Sequence, residues 1–332
     1  ENFFLLNMEP PDRVVPKEIV SREYIFILDV SGSMHGFPLD ISKALMKDIL
    51  GGLRPNDYFN VLLFSGGSAV LNEKESLAAN EANKQTAINW INSQYGGGGT
   101  ELLPALKRAM SLPAHPGTSR IITIATDGYV DVEPEAFELI RANLNKANFF
   151  SFGIGSSVNR HLIEGMAKVG MGEAFVVLNP QAGPTQAEKF RKYVEAPVLT
   201  GVKAKFEGFS TYDVEPIELP DLFAQKPISM FGKWKGGALG KIVITGKTAD
   251  GDFKQEVSVN GAIKGDANAA LRLLWARHRI MRLADLNDLN PYHVDNKVVE
   301  DRKARIKEIT DLGLKYSLMT QFTSFVAVDK IK

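Results

Sequence analysis

Acidic and hydroxyl side chains follow two buried, strand-like runs of this sequence, at the point where each run ends. The run Tyr24–Leu28 is followed by Asp29, Ser31 and Ser33, and the run in "IITIATDGYV" is followed by Asp127. The carboxyl ends of parallel strands meet at one edge of a sheet, where open α/β sheets bind their ligands. We therefore expect these side chains to lie close together.

A third segment, "YGGGGTE", brings Thr100 in front of a helix-like stretch. Its glycines, Gly96–Gly99, give a backbone that is free to adopt positive φ and to fold tightly. Together the three segments offer carboxylate and hydroxyl oxygens, which suit Mg²⁺ far better than zinc. The sequence therefore predicts a Mg²⁺ site, with Mn²⁺ or Ca²⁺ as alternative ions. The predicted ligands are Asp29, Ser31, Ser33, Thr100 and Asp127.

Other interpretations of these segments are weaker. Asp29 and its serines could cap a helix, since Asp and Ser are preferred there. The glycine loop could be a plain flexible loop or a phosphate cradle, although it lacks the lysine of a P-loop. His35 could serve a nucleophile, but no G-x-S-x-G elbow surrounds any serine, so we interpret it as a rim residue. Asp131 and Glu133 are interpreted as solvated loop acids, and no catalytic or organic-cofactor-binding residue is predicted.

Composition excludes several classes of protein. The chain has 332 residues, of which 44% are hydrophobic, enough for one large domain or two ordinary ones. Lysine plus arginine equals aspartate plus glutamate at 39 each, so no net charge favours nucleic acid or an anionic membrane. The absence of cysteine excludes disulfides, thiolate metal sites and thiol catalysis. No run approaches the roughly 20 apolar residues of a membrane span, so none is expected.

The pattern between about residues 23 and 179 alternates short apolar runs with longer amphipathic ones. This alternation predicts a doubly wound, Rossmann-like α/β domain with a mostly parallel sheet. The predicted strands are Tyr24–Val30, Tyr58–Ser65, Arg120–Thr126, Asn148–Ile154 and Ala174–Leu178. The predicted helices are Leu39–Leu50, Asn83–Gln94, Leu102–Met110, Glu135–Ala147 and Asn159–Lys168.

The later part of the chain has a different pattern, in which alternating segments are separated by turn signals such as "ADGD". It predicts a β-sandwich followed by two helices and a last apolar run, and "FFLLNM" near the start is expected to pair with this sheet. We place the α/β domain at 21–180, a linking helix at 181–194, and the β-rich domain at 1–20 plus 195–332. The predicted elements are Val198–Phe206, Ile228–Lys235, Leu239–Thr245, Phe253–Val259, Ala267–Leu286, Asp295–Leu314 and Ser324–Val328.

"DVSGSM", "GGGGTE" and "TDG" match, in order and spacing, the metal-ion-dependent adhesion site of von Willebrand factor type A domains. The resemblance covers about residues 23 to 179. It implies that the serines and Thr100 ligate the ion directly, while Asp29 and Asp127 act through water. It also implies a non-enzymatic adhesion module that binds an acidic group of its partner. The rival is a Mg²⁺-dependent hydrolase or phosphoryl-transfer enzyme on the same scaffold, for which the matched loops offer no nucleophile.

Segments outside that span carry a second resemblance. "FLLNMEPP", "DVEPIELPDLFAQKPI" and "TSFVAVD" look like inter-alpha-trypsin inhibitor heavy chains and related bacterial cell-envelope proteins. In those proteins a vault/inter-alpha-trypsin domain precedes this region, so we expect the sequence to be a piece of a longer protein. No Asp-Pro pair is present, which argues against covalent transfer to a glycan. The resemblance implies an extracellular or cell-envelope location (surface or periplasm), and an extracellular or cell-surface protein or an acidic glycan as partner.

Overall fold

The computed structural model describes residues 1–12, 16–128, 130, 133–260, 268–287 and 296–326. The strands are β1 (Asn2–Met8), β2 (Arg22–Asp29), β3 (Tyr58–Phe64), β4 (Ser68–Val70), β5 (Leu77–Ala78), β6 (Ser119–Thr126), β7 (Asn148–Ile154), β8 (Ala174–Val177), β9 (Pro197–Glu207), β10 (Thr211–Glu215), β11 (Leu222–Phe223), β12 (Ile228–Trp234), β13 (Lys241–Thr248) and β14 (Gly251–Ser258). The helices are α1 (Phe37–Gly51), α2 (Glu81–Asn92), α3 (Leu102–Ser111), α4 (Glu133–Arg141), α5 (Arg160–Val169), α6 (Ala182–Val194), α7 (Ala270–Asn287) and α8 (Asn296–Tyr316).

The main sheet has the strand order β4-β3-β2-β6-β7-β8, with β5 also paired to β3. The pairs β2–β3, β2–β6, β6–β7 and β7–β8 are parallel, whereas β4 and β5 run antiparallel to β3. The first strand of this sheet, β2, lies near its centre. Strands β3 to β5 are then added on one side of β2, and β6 to β8 on the other. The predicted α/β fold class with a mostly parallel sheet is therefore confirmed.

Strand β2 is buried along its whole length because helices cover both faces of the sheet. Its alternate residues enter two different clusters, as the two-residue period of a strand requires. Phe26 packs in the cluster that contains residues of α1, α2 and α6. Ile27 packs in the cluster formed with α3, α4 and α5. A strand buried on both faces reads as a continuous apolar run, which explains why "YIFIL" predicted it well.

The rest of the chain forms a three-stranded sheet, β1-β12-β10, and a four-stranded sheet, β11-β9-β13-β14. Both are antiparallel and contribute to one apolar cluster. Helices α7 and α8 pack over β1 and β12, where Trp275 and Tyr316 are buried beside Phe231. This arrangement agrees with the predicted β-rich part and its C-terminal helices. Strand β1 pairs with β12 in the register Leu5↔Phe231, as expected for "FFLLNM".

Several sequence-based expectations differ from the structure. Helix α4 ends at Arg141, six residues before the predicted end at Ala147, because residues 142–146 form turns that include Asn143 and Asn145. Strands β5, β10 and β11 were not predicted. Of the predicted run Ser324–Val328, residues 324–326 adopt no regular structure and the last two lie outside the described residues. No helix of the described ranges has the length and apolar composition needed to span a bilayer.

Candidate metal centre

The predicted acidic residues meet at the carboxyl edge of the main sheet. Strand β2 ends at Asp29, and Asp127 directly follows β6. The two strands are parallel neighbours in the register Leu28↔Ala125, so their last residues lie side by side. Both carboxyl groups are buried, Asp29 completely and Asp127 with only 6% of its surface exposed. The edge therefore brings two carboxylates together from segments nearly a hundred residues apart.

The first loop turns its hydroxyl groups toward each other. The Ser31 backbone N–H donates a hydrogen bond to Oδ1 of Asp29 at 2.8 Å, and Oγ of Ser31 lies 3.2 Å from Oγ of Ser33. The buried side chain of Met34 anchors the short 3-10 turn of this loop in the core. Ser31 is the N-cap residue of this 3-10 turn and Gly36 that of α1, but neither makes a side-chain capping hydrogen bond, so the serine hydroxyls do not act as helix caps. Ser31 is buried, whereas Ser33 is exposed.

The glycine loop is held against the first loop by backbone hydrogen bonds. Gly32 donates its N–H to the carbonyl of Gly98 at 3.1 Å, and Gly97 donates to the carbonyl of Val30 at 2.9 Å. Gly98 adopts a φ of 84°, a conformation that favours glycine. Thr100 follows two residues later and is partly buried. The structure thus brings the loop that carries Thr100 onto the loop that carries the serines.

Two polar residues that sequence reasoning missed brace the third loop. Thr126 donates its hydroxyl to Oδ2 of Asp29 at 2.6 Å and accepts the N–H of Gly128 at 2.9 Å. Asn159 donates its backbone N–H to the carbonyl of Asp127 at 2.9 Å and its side-chain amide to the carbonyl of Gly128 at 3.0 Å. A hydroxyl residue at the end of a buried strand, directly before Asp127, was the available signal for Thr126. Asn159 is the N-cap residue of α5, where its Oδ1 accepts the N–H of Leu162 at 3.2 Å, so the start of the predicted helix was its available signal.

Asp29 is a buried carboxylate whose hydrogen bonds come from uncharged groups. In the parts of the chain that the structure describes, no basic side chain lies within 4.0 Å of it. Burial raises the pKa of Asp29, and the negative charge of Asp127 adds to this effect, while hydrogen bonds from Ser31 and Thr126 oppose it. A carboxylate taken out of water without a counter-ion is energetically unfavourable. A bound cation would supply the missing charge.

The donor chemistry fits a hard divalent cation. Among the described residues, no three His, Cys, Asp or Glu side chains cluster in the way that a fully protein-enclosed metal site requires. The edge instead offers two carboxylates and the hydroxyls of the first and second loops. Mg²⁺ commonly takes one or two carboxylates and completes its octahedron with water and a ligand oxygen. The residues present therefore suit a magnesium ion with an incomplete protein shell.

His35 lies at the exposed rim of the site. Its Nδ1 lies 2.9 Å from the backbone carbonyl oxygen of Tyr95, and both residues are exposed at the rim of the site. This contact joins the first loop to the start of the glycine loop, which agrees with the rim interpretation. Asp131 lies outside the described residues, and so does the side chain of Glu133.

Comparison with known proteins bears on this geometry. Residues 22–175 match the family model of the von Willebrand factor type A domain. The chain contains a von Willebrand factor type A domain. A von Willebrand factor A domain-containing protein of Dictyostelium discoideum is 27% identical over 321 residues, which is 94% of this chain and 15% of that protein. Inter-alpha-trypsin inhibitor heavy chain H3 of Bos taurus is 28% identical over 340 residues, 94% of this chain and 36% of that protein.

Two solved structures resemble the chain over nearly its whole length. A von Willebrand factor type A protein from Catenulispora acidiphila superimposes with a TM-score of 0.60 at 14% identity, covering 95% of this chain and 87% of that one. The ArnB paralog VWA2 from Sulfolobus acidocaldarius gives 0.58 at 14% identity, with coverages of 95% and 86%. These similarities show that the fold extends beyond the von Willebrand domain itself. Von Willebrand domains are typically interaction modules and commonly bind a divalent metal.

Proposed function

We propose that this von Willebrand domain is an adhesion or protein-interaction module that binds an acidic group of a protein or glycan partner through a bound Mg²⁺. The ion is held at the carboxyl edge of the main sheet. The residues that would hold it are Asp29, Ser31, Ser33, Thr100 and Asp127. The family resemblance supports direct ligation by the hydroxyls and water-mediated contacts from the two aspartates.

The observation that carries this proposal is the environment of Asp29. It is fully buried, its hydrogen-bond donors are uncharged, and the described residues place no basic group beside it. Ionisation of such a carboxylate is unfavourable to the fold, because burial without a counter-ion opposes the charged form. A site for a cation accounts for it. When bound, Mg²⁺ supplies a positive charge that the protein only partly neutralises, and a partner carboxylate can occupy the position left open.

The chain's own residues determine how such a site would work. Thr126 orients the Asp29 carboxylate, and Asn159 fixes the backbone on both sides of the Asp127–Gly128 peptide. The glycine loop lies on the first loop without a side chain to cover the edge. The site is therefore preorganised yet open to a macromolecule. Because von Willebrand relatives are often extracellular or surface proteins, we place this protein outside the cell or in the cell envelope.

Calorimetric titration with Mg²⁺ and Mn²⁺ tests the proposal. We expect one ion per chain, loss of binding in Asp29→Ala, and unchanged binding in Asp40→Ala, which removes an exposed acid from the first turn of α1. Equal binding by the parent and Asp29→Ala would contradict the proposal. Metal-dependent turnover of phosphate or ester substrates that disappears in Asp29→Ala would favour a hydrolase instead.

A further inference from the structure

A cavity of about 380 Å³ lies between the von Willebrand domain and helix α7, away from the candidate metal centre. One wall consists of the end of α4 and the end of α5. The opposite wall consists of residues 215–218 and of α7. Small-molecule sites commonly have this volume and commonly lie where two structural units meet. The cavity thus has the size and position of a ligand site.

Much of the lining is apolar. Leu144 and Val169 come from the von Willebrand domain, and Met281 comes from α7. Ile217 lines the cavity from the facing loop and is 64% exposed, which is unusual for an isoleucine beside a well-packed core. These side chains would cover the apolar body of a ligand. Their burial against it would supply the hydrophobic part of the binding free energy.

The arginines of the wall are already neutralised by neighbouring acids. Arg141 contacts Glu138 at 2.6 Å and also Asp285, and Arg282 contacts Glu215 at 2.9 Å. Arg279, which does not line the cavity, contacts the same Glu215 at 3.2 Å. The pair of Arg141 and Asp285 also connects the two walls, because Arg141 belongs to α4 and Asp285 to α7. Each lining arginine therefore already has an acidic partner.

Two other basic side chains line the cavity without such a partner. Lys168 lies at the end of α5 and His278 on α7, and within the described ranges neither has an acidic group at ion-pair distance. Both side chains line the same cavity. Burial lowers the pKa of His278; the negative charge of Glu215 opposes this, and the positive charge of Lys168 adds to it. The His278 ring packs against Phe231 with centroids 4.9 Å apart and ring planes tilted by 30°, which restricts the orientation of the imidazole.

We propose that this cavity binds a small monocarboxylate with an apolar body, whose carboxylate accepts hydrogen bonds from Lys168 and His278. An ammonium ion and an imidazole N–H on opposite walls are suitable donors for one carboxylate. Glu218 also lines the cavity and has no basic partner in the part of the chain that the structure describes. Its negative charge repels each anionic group of a ligand, so a dicarboxylate, which carries two, fits less well than a monocarboxylate.

Calorimetry with three eight-carbon probes tests the proposed ligand class. The whole chain, in buffer with EDTA, is titrated with octanoate, octylammonium and the dicarboxylate suberate. We expect saturable one-to-one binding of octanoate, and binding about tenfold weaker or worse for the other two. Equal affinity for octanoate and octylammonium, or no binding of octanoate at millimolar concentration, would overturn the proposal. EDTA makes the result independent of the candidate metal centre.

Variants locate the site. Lys168→Ala combined with His278→Ala should weaken octanoate binding about tenfold, whereas Lys189→Ala, which removes an exposed lysine of α6, should not change it. Ala142→Trp places a large ring at an exposed position of the lining and should block binding with both donors intact. Circular dichroism and thermal melting identify any variant that fails to fold. Unchanged affinity in both the double variant and Ala142→Trp would contradict the assignment.

Discussion

Strand β2 carries a completely buried carboxylate near each end, and the two differ in what surrounds them. At the amino end, Glu23 lies 3.2 Å from Nε of Arg120 and accepts the hydroxyl of Ser76 at 2.5 Å. At the carboxyl end, Asp29 has uncharged donors and, among the described residues, no basic neighbour. One strand therefore carries a buried acid that has a basic partner and, at its other end, a buried acid that has none among the described residues.

We interpret the ion-paired acids of the amino edge as structural groups, and Asp29 as a group that binds a ligand. The amino edge contains a second buried pair, in which Arg22 contacts both carboxylate oxygens of Asp57, at 3.0 and 2.5 Å. A carboxylate whose charge is neutralised inside the protein has little left to offer a metal. Asp29 has no positively charged partner among the described residues. We interpret this missing counter-ion as the basis of the cation site.

Breaking a pair at the amino edge should produce the largest effect. Arg22→Met leaves Asp57 buried without its counter-ion, so we expect the free energy of unfolding in urea to fall by about 3–5 kcal/mol. Mg²⁺ affinity of the folded variant should stay unchanged, because the pair lies at the opposite edge. Adding Asp57→Leu should restore much of the stability. A stability loss with a parallel loss of metal affinity would remove the distinction between the two edges.

Removing the brace on Asp29 should affect stability and metal binding together. Thr126→Val keeps the shape of the side chain but deletes the donor to Asp29 and the acceptor for the Gly128 N–H. We expect a stability loss of about 2 kcal/mol and a weakening of Mg²⁺ affinity by about tenfold or more. Thr126→Ser retains the hydroxyl and serves as the control. Equal metal affinity in Thr126→Val and the parent would show that this orientation is unimportant.

The glycine loop offers a smaller and more local test. Gly98 has a φ of 84°, and a Cβ there would lie 3.3 Å from Oγ of Ser65, so Gly98→Ala should reduce stability by about 1–2 kcal/mol. We expect a several-fold loss of Mg²⁺ affinity, because the loop carries Thr100. Gly97→Ala is the matched control, since its φ is not positive and a Cβ there meets no atom within 4 Å. Similar metal affinities for the two variants would contradict the role of this loop.

Acidity should weaken metal binding gradually. Burial, with the charge of Asp127, raises the pKa of Asp29 above that of an ordinary carboxyl group. A proton therefore competes with the cation at a pH where exposed acids are still ionised, and Mg²⁺ affinity should fall as the pH decreases through that raised pKa. Calorimetric titrations from pH 8 downward measure this. An affinity that stays constant until exposed carboxyl groups titrate would argue against Asp29 as the group that responds.

The parts of the fold that sequence predicted share one physical property. Strands β2, β3, β6, β7 and β8 are short apolar runs that helices cover, and continuous hydrophobicity marks them. Strand β11 has only two residues, so no periodicity can develop. Strand β10 has five residues, but only Glu215 is buried, so no continuous apolar run marks it. Pairing with distant partners creates these strands, and such pairing is invisible in a local pattern.

The same limit applies to the site. Asp29 and Asp127 could be named because acids stand directly after buried strands, and the glycine run marked the loop before Thr100. Their role as ligands is still a prediction. Thr126 and Asn159 carry local signals, a hydroxyl at a strand end and an asparagine at a helix start, but their bracing roles depend on a carboxylate and backbone carbonyls supplied by other segments.

The most direct test of the account compares the parent with Asp29→Asn at pH 7, with and without Mg²⁺. Because the pKa of Asp29 is raised in the folded state, its contribution to stability is fully present below the pKa of the unfolded chain and is lost as the pH rises through the folded pKa. Once ionised, the buried carboxylate opposes folding. In EDTA, Asn should therefore make the protein more stable. At Mg²⁺ near 100 times its Kd, the parent should gain about 2.7 kcal/mol and the variant nothing. A variant that is less stable in EDTA and gains as much from Mg²⁺ as the parent would contradict the central claim.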